Sequence, residues 1–221
     1  MDKLQCAKCK TKPCGEGITD ESLLPKYCPL KTSKKLIKQV LEKYRKDEIH
    51  RFYLNSALTE KEAYDTKAAR EEDRIVPVRP RIREIAEFAK KIGAKRIGMA
   101  FCSGLSDEGA RAAAILENHG FEICSVVCCC GAIDKSEFGV PEDYRIKSKG
   151  KFEAGCNPLL QAELLNQAGT DFNVLIGLCV GHDMLFTKHC QAYVTTLVVK
   201  DRFTGHNPVI SLYTRYHKDI R

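Results

Sequence analysis

The 221-residue sequence has no apolar run long enough to cross a bilayer. The longest, "VLIGLCV" over 174–180, is far below the roughly 20 residues a membrane-spanning helix requires, so no transmembrane helix is expected. The start, "MDKLQC", lacks a basic segment followed by an apolar stretch. That predicts a chain without a secretory leader, in a cytoplasmic and therefore reducing setting. Phosphate-cradling glycine patterns are missing as well: "CSGLSDEG" has neither the Lys-Ser/Thr pair of a P-loop nor the three-glycine dinucleotide motif, which argues against nucleotide use. There is no solenoid-like repeat and no low-complexity tract. Disorder is excluded by composition, since hydrophobic residues form 43% of the chain and charged residues 29%.

Charge is lopsided. The first hundred residues hold 24 Lys/Arg against 15 Asp/Glu, and the remainder 12 against 14. A basic field of this kind can attract nucleic acid or an acidic protein. Its residues fall on helix faces without interleaved aromatics, so solvated surface is the simpler reading, and nucleic acid stays open as a partner.

Cysteine is what the chain has in excess: there are 12. In a reducing compartment that number argues for metal binding or thiol chemistry over a disulfide framework. The first four, Cys6, Cys9, Cys14 and Cys28, have the spacing Cys-x2-Cys-x4-Cys-x13-Cys, with Pro29 after the last. A tight turn brings the sulfurs of a Cys-x2-Cys pair to one centre, and two further thiolates complete a four-ligand set. The segment 1–31 also needs such a centre, because it has little hydrophobic periodicity and is interrupted by Pro13, Gly15, Gly17, Pro25 and Pro29. A single tight pair ending in Cys-Pro favours an iron–sulfur cluster, of the 4Fe-4S kind, over zinc; zinc is the alternative.

Residues 32–80 read as helical. "KKLIKQVLEKYRK" aligns Leu36, Ile37, Val40, Leu41 and Tyr44 on one face, and Thr59 with Glu62 fits a capping box that opens a second helix over "EKEAYDTKAAREED". From 81 to 221 the period alternates between helix and strand. Helix "RIREIAEFAKKIG" precedes strand "RIGMAF", helix "DEGARAAAILENHG" and strand "FEICSVV". Asn157 and Pro158 then open helix "PLLQAELLNQAG", followed by strand "FNVLIGL", a short helix over 182–188 and strand "AYVTTLVV". The expectation is an α/β domain of Rossmann-like type, a mainly parallel sheet with flanking helices.

That topology gives the later cysteines a common address. Cys102 follows the first strand, the run Cys128–Cys130 the second and Cys179 the third, while Cys156 sits just before a helix. Parallel sheets bind ligands beyond the carboxyl ends of their strands, where helix N-termini also make thiols more acidic. Cys102, Cys156 and Cys179, with Cys130 from the "CCCG" run, are therefore candidates to hold a second cluster. With three protein ligands one iron stays open as a Lewis acid for a small substrate. Cys124 and Cys190 are assigned to packing. "CVGHD" places His182 three residues after Cys179, as a proton donor, fourth ligand or catalytic partner of that thiol; Asp107 and Asp183 read as helix-start residues. Lys200, Arg202 and His206 in "VVKDRFTGHNP" could hold an anion, though a charged surface turn is the commoner arrangement.

The combined pattern, "CAKCKTKPC" and "YCP" followed by "AFCSGL", "CNP", "LCVGHD" and "VVKDR", resembles the family known as domain of unknown function 1847 over nearly the whole chain. The resemblance implies metal ligation by Cys6, Cys9, Cys14 and Cys28 and no established activity. The architecture is also similar, in mechanism alone, to that of thiouracil desulfidases, whose cluster keeps one iron open. The functional expectation is an iron–sulfur protein for electron transfer or desulfuration-like chemistry, with a redox protein or small molecule as partner. The alternative is a zinc-stabilised module that binds nucleic acid or an acidic protein.

Overall fold

The structure, a computed structural model, describes residues 4–214. The chain forms two compact units, 1–61 and 62–221. Within the described residues the first unit begins with a 3-10 turn over Cys6–Lys8, passes through turns, and continues into helices α1 (Pro29–Thr32), α2 (Lys34–Tyr44) and α3 (Asp47–Glu62). The rings of Tyr44 and Tyr53 join α2 to α3 edge to face at 5.1 Å.

Helix α3 corrects the capping-box expectation. Thr59 lies inside it, and its hydroxyl donates back to the Asn55 carbonyl at 2.8 Å. The next helix, α4 (Thr66–Glu71), is instead capped by Asp65, which accepts from the amides of Lys67 and Ala68. Residues 62–80 stand with the second unit, whereas the sequence grouped them with the helices before them. The Arg79 guanidinium bonds the Glu62 carbonyl, the Lys91 ammonium pairs with the Glu62 carboxylate at 2.7 Å, and the Val78 amide donates to Ala63.

The second unit continues with α5 (Arg81–Lys91), β1 (Arg96–Phe101), α6 (Ser106–Asn118), β2 (Glu122–Val127), α7 (Pro158–Gln167), β3 (Phe172–Ile176), α8 (His182–His189), β4 (Tyr193–Val198) and α9 (Val209–Tyr213). All strand pairs are parallel, in the order β2-β1-β3-β4. The central strands are almost wholly apolar because both faces are covered, Arg96 at the start of β1 and Asn173 in β3 being the polar residues. All of β3, and Ile97 to Ala100 of β1, are buried, while β2 and β4 at the edges are only half-buried. The faces can be read from β1 itself. The Phe101 ring packs on Gly109 of α6, and a side chain at Gly98, of opposite parity, would point at Leu165 of α7, so these helices cover opposite faces. Among the described residues no helix is long and apolar enough to cross a membrane.

Gly98 is required by that packing. A Cβ there would stand 1.9 Å from Oδ1 of Asn173, a fully buried residue whose Oδ1 accepts from the Thr170 hydroxyl at 2.8 Å. Gly98→Ala is expected to destabilise the second unit by about 1–3 kcal/mol, measured as a lower urea midpoint at unchanged slope.

Candidate functional site

The strand order reverses direction between β1 and β3, which are neighbours although β2 intervenes in sequence. A crevice opens at the carboxyl ends of such a pair. Cys102 leaves β1 directly, and its amide still bonds the Ile176 carbonyl of β3 at 3.1 Å. Cys128 leaves β2. After β3 the chain turns at Gly177, where φ is +66° and a Cβ would meet Leu105 at 1.9 Å, and reaches Cys179 two residues later. Cys156 arrives from the other direction, immediately before Asn157, whose side chain caps α7 by accepting from the Leu160 amide at 3.0 Å.

Two bonds fix α7 against this edge. The Asn157 amide donates to the Cys128 carbonyl at 2.6 Å, and the fully buried Gln161 donates through Nε2 to the Val126 carbonyl at 2.8 Å. Three strand ends and one helix start therefore place Cys102, Cys128, Cys156 and Cys179 at the same edge of the sheet, and the fourth strand brings cations. Beyond β4, the Lys200 ammonium bonds the Cys102 sulfur, and the Arg202 guanidinium donates to the Cys179 sulfur at 3.0 Å.

Cys128 is held toward its thiolate form. Its sulfur accepts from the Ser103 amide at 3.3 Å, with Ser103 Oγ 3.8 Å away. The Cys156 contact first, then the Ser103 amide and hydroxyl and Cys102, bring its pKa down to about 5 against the opposing effect of burial. Cys156 moves the opposite way: its bond to Cys128, then burial, then the charges of Cys128, Cys179 and Cys102 push it strongly up. The pair thus shares one proton, with Cys128 the thiolate. In metal-free protein the ultraviolet thiolate absorption attributable to Cys128, taken as native minus Cys128→Ser, is expected to persist above about pH 5 and to vanish below it. In Cys156→Ala, where the side-chain donor is lost, that titration is expected to move upward.

Cys130 is placed differently from Cys128: its thiol faces the Asn157 carbonyl at 3.9 Å. Burial raises the pKa of both Cys129 and Cys130. Cys124 lies in β2 and Cys190 ends α8, both packed on the core, and burial pushes the Cys190 thiol up to about 11. His182 is the first residue of α8, and its amide donates to the Cys179 carbonyl at 2.9 Å. Asp183 serves the backbone, accepting from Gly181 and Met184. His206 closes a turn by accepting the Asp201 amide on Nδ1 at 3.1 Å. Sequence reasoning missed Cys128 as the converging member of its run, and missed that Lys200 and Arg202 bond thiols.

In the first unit Cys6 and Cys9 flank a single turn, with the Cys9 amide on the Cys6 carbonyl at 3.0 Å. Cys28 is buried and directly precedes α1. Desolvation, then the nearby Cys9, Cys6 and Cys28, raise the Tyr27 phenol. Cys14 is exposed, beside Gly15, whose amide bonds the Lys12 carbonyl. Among the described residues no group of three or more His, Cys, Asp or Glu side chains is arranged to hold a metal ion. A metal centre at either set would therefore form with movement of the thiols.

Fold and site together define a Rossmann-like α/β protein with cysteines at the carboxyl edge of its sheet, beside the topological switch point. The chain belongs to the family described as Protein of unknown function (DUF1847), whose profile matches residues 28–197. It is 38% identical over 214 residues to the uncharacterised protein MJ0455 of Methanocaldococcus jannaschii, covering 97% of this chain and 96% of that one. The matched family region contains all four crevice cysteines; Cys6, Cys9, Cys14, Lys200 and Arg202 lie outside it.

Proposed function

We propose that the chain is an iron–sulfur protein with two centres, one on Cys6, Cys9, Cys14 and Cys28 and a second in the crevice on Cys102, Cys128, Cys156 and Cys179. Its role is electron transfer, or non-redox chemistry of the desulfuration kind on a small substrate. The observation that carries this reading is the convergence of four thiols at a ligand-binding sheet edge with cations on two of their sulfurs.

The donor set fits the group. Iron–sulfur clusters take four cysteine thiolates and gain from hydrogen bonds and positive charge around the sulfurs. Here the Ser103 amide points at Cys128, and Lys200 and Arg202 offset the charge of Cys102 and Cys179. A bound cluster would supply one-electron transfer, or a Lewis-acidic iron where a ligand position is open. The chain itself holds the thiols at one edge and closes the β4 side of the crevice with cations. Cys179 acting with His182 as a nucleophilic pair draws less support, because the hydrogen bond between them runs from the His182 backbone amide to the Cys179 carbonyl and not from the imidazole to the sulfur.

Reconstitution under argon with ferrous iron and sulfide tests the proposal. A brown protein whose visible absorption bleaches on reduction is expected. A protein that stays colourless and takes up zinc would favour the second reading, a zinc-stabilised module for nucleic acid or an acidic partner. The excess of 24 basic over 15 acidic residues in the first hundred speaks for that module.

A further inference from the structure

The long connection between β2 and α7 begins and ends at a cysteine. Cys128 starts it, Cys156 ends it, and the Asn157 amide bonds the Cys128 carbonyl at 2.6 Å, so the two backbone strands touch at its base. Between them the connection is internally tied. Asp134 bridges to Ala154 in antiparallel pairing, the Gly155 amide donates to the Ile133 carbonyl, and Arg145 pairs with Asp134 at 3.3 Å. Each of the two thiols is also the largest influence on the other's titration, Cys156 lowering Cys128 and Cys128 raising Cys156.

We propose that Cys128 and Cys156 form a reversible disulfide that closes the 128–156 loop, with a peroxide as the oxidant. Cys128 is only 3% exposed, so the reagent must be small. The Cys128 sulfur attacks one peroxide oxygen; the O–O bond breaks, and a sulfenic acid and one water form once the leaving hydroxide is protonated. The Cys156 sulfur then attacks the Cys128 sulfur, forming the S–S bond and expelling the hydroxyl, which leaves as a second water with the Cys156 proton. Two thiols are oxidised by two electrons and one peroxide is reduced to two waters. Backbone proximity at the base meets the short reach that disulfide geometry demands. A reducing thiol reverses the reaction by exchange through a mixed disulfide.

This modification does not depend on iron binding in the crevice, and where iron does bind it would remove two of the four proposed ligands. The test uses the 221-residue chain, reduced and stripped of metal under argon, treated with one equivalent of hydrogen peroxide, alkylated in denaturant and mapped by mass spectrometry. The expected product is a Cys128–Cys156 cross-linked peptide that dithiothreitol removes. In Cys156→Ser, Cys128 is expected to carry added oxygen with no cross-link, while Cys124→Ser keeps the cross-link. Cys128 and Cys156 both recovered as alkylated thiols, or joined to other cysteines, would overturn the proposal, and the native chain alone decides this if a variant misfolds. A cross-link in a chain that never binds iron would retire the cluster reading and keep this one. Iron uptake with no cross-link in the stripped chain would do the reverse.

Discussion

Serine at Cys102, Cys128, Cys156 and Cys179 together is expected to lower the iron of the chain, isolated without oxygen, from about eight atoms to about four, the content of one four-iron cluster. Serine at Cys6, Cys9, Cys14 and Cys28 is expected to remove the other half. The crevice set is defined by structure: three strand ends and the α7 start deliver these sulfurs, and Lys200 and Arg202 hold two of them. Cys130→Ser is the informative neighbour. Its thiol faces the Asn157 carbonyl, so its loss should leave the iron content unchanged. Each variant is checked for native circular dichroism, since Cys102 and Cys128 are buried. Unchanged iron in a folded crevice variant would remove the second centre from the account.

The second large effect concerns the loop that carries Cys156. Glu153→Ala is expected to speed amide exchange at Ile146 and Lys147 at least about tenfold, because the group that orders both amides is gone. The Glu153 carboxylate accepts from the Ile146 amide at 3.0 Å and the Lys147 amide at 2.8 Å, and pairs with the Lys135 ammonium. Lys135 first, then the Lys147 amide, hold its pKa below the usual carboxylate range. The Glu153 amide in turn donates to Asp134 at 2.8 Å, and the amides of Ser136 and Glu153 bring the Asp134 carboxyl down to about 2. A carboxylate with a depressed folded pKa stabilises the fold above its unfolded value, near 4, and loses that contribution as pH falls through the folded value. Loop protection should therefore hold above about pH 4 and fall away between about pH 4 and pH 2. Protection at Ile146 and Lys147 that is indifferent to the substitution would contradict this role for Glu153.

The sheet was legible because burial on both faces writes itself into sequence: "RIGMAF" and "FNVLI" are near-continuous apolar runs. The parallel topology then places Cys102, Cys156 and Cys179 at one edge from the sequence alone. What followed from local chemistry alone went astray where tertiary contacts decide. Thr59 has the residue type of a cap, yet it sits in a continuous helix where its hydroxyl satisfies a carbonyl four residues back. Nothing in "CCCG" says that Cys128, and not Cys130, is the one that acts with Cys156. The cation partners were hidden by distance along the chain. Lys200 meets a thiol 98 residues away and Arg202 one 23 residues away, so neither pairing leaves a local pattern.

The most direct measurement is the iron, acid-labile sulfide and zinc content of the native chain purified without oxygen. About eight irons with a matching amount of sulfide per chain is the predicted result. About one zinc with no iron or sulfide would contradict the account and leave a zinc-ordered binding protein in its place.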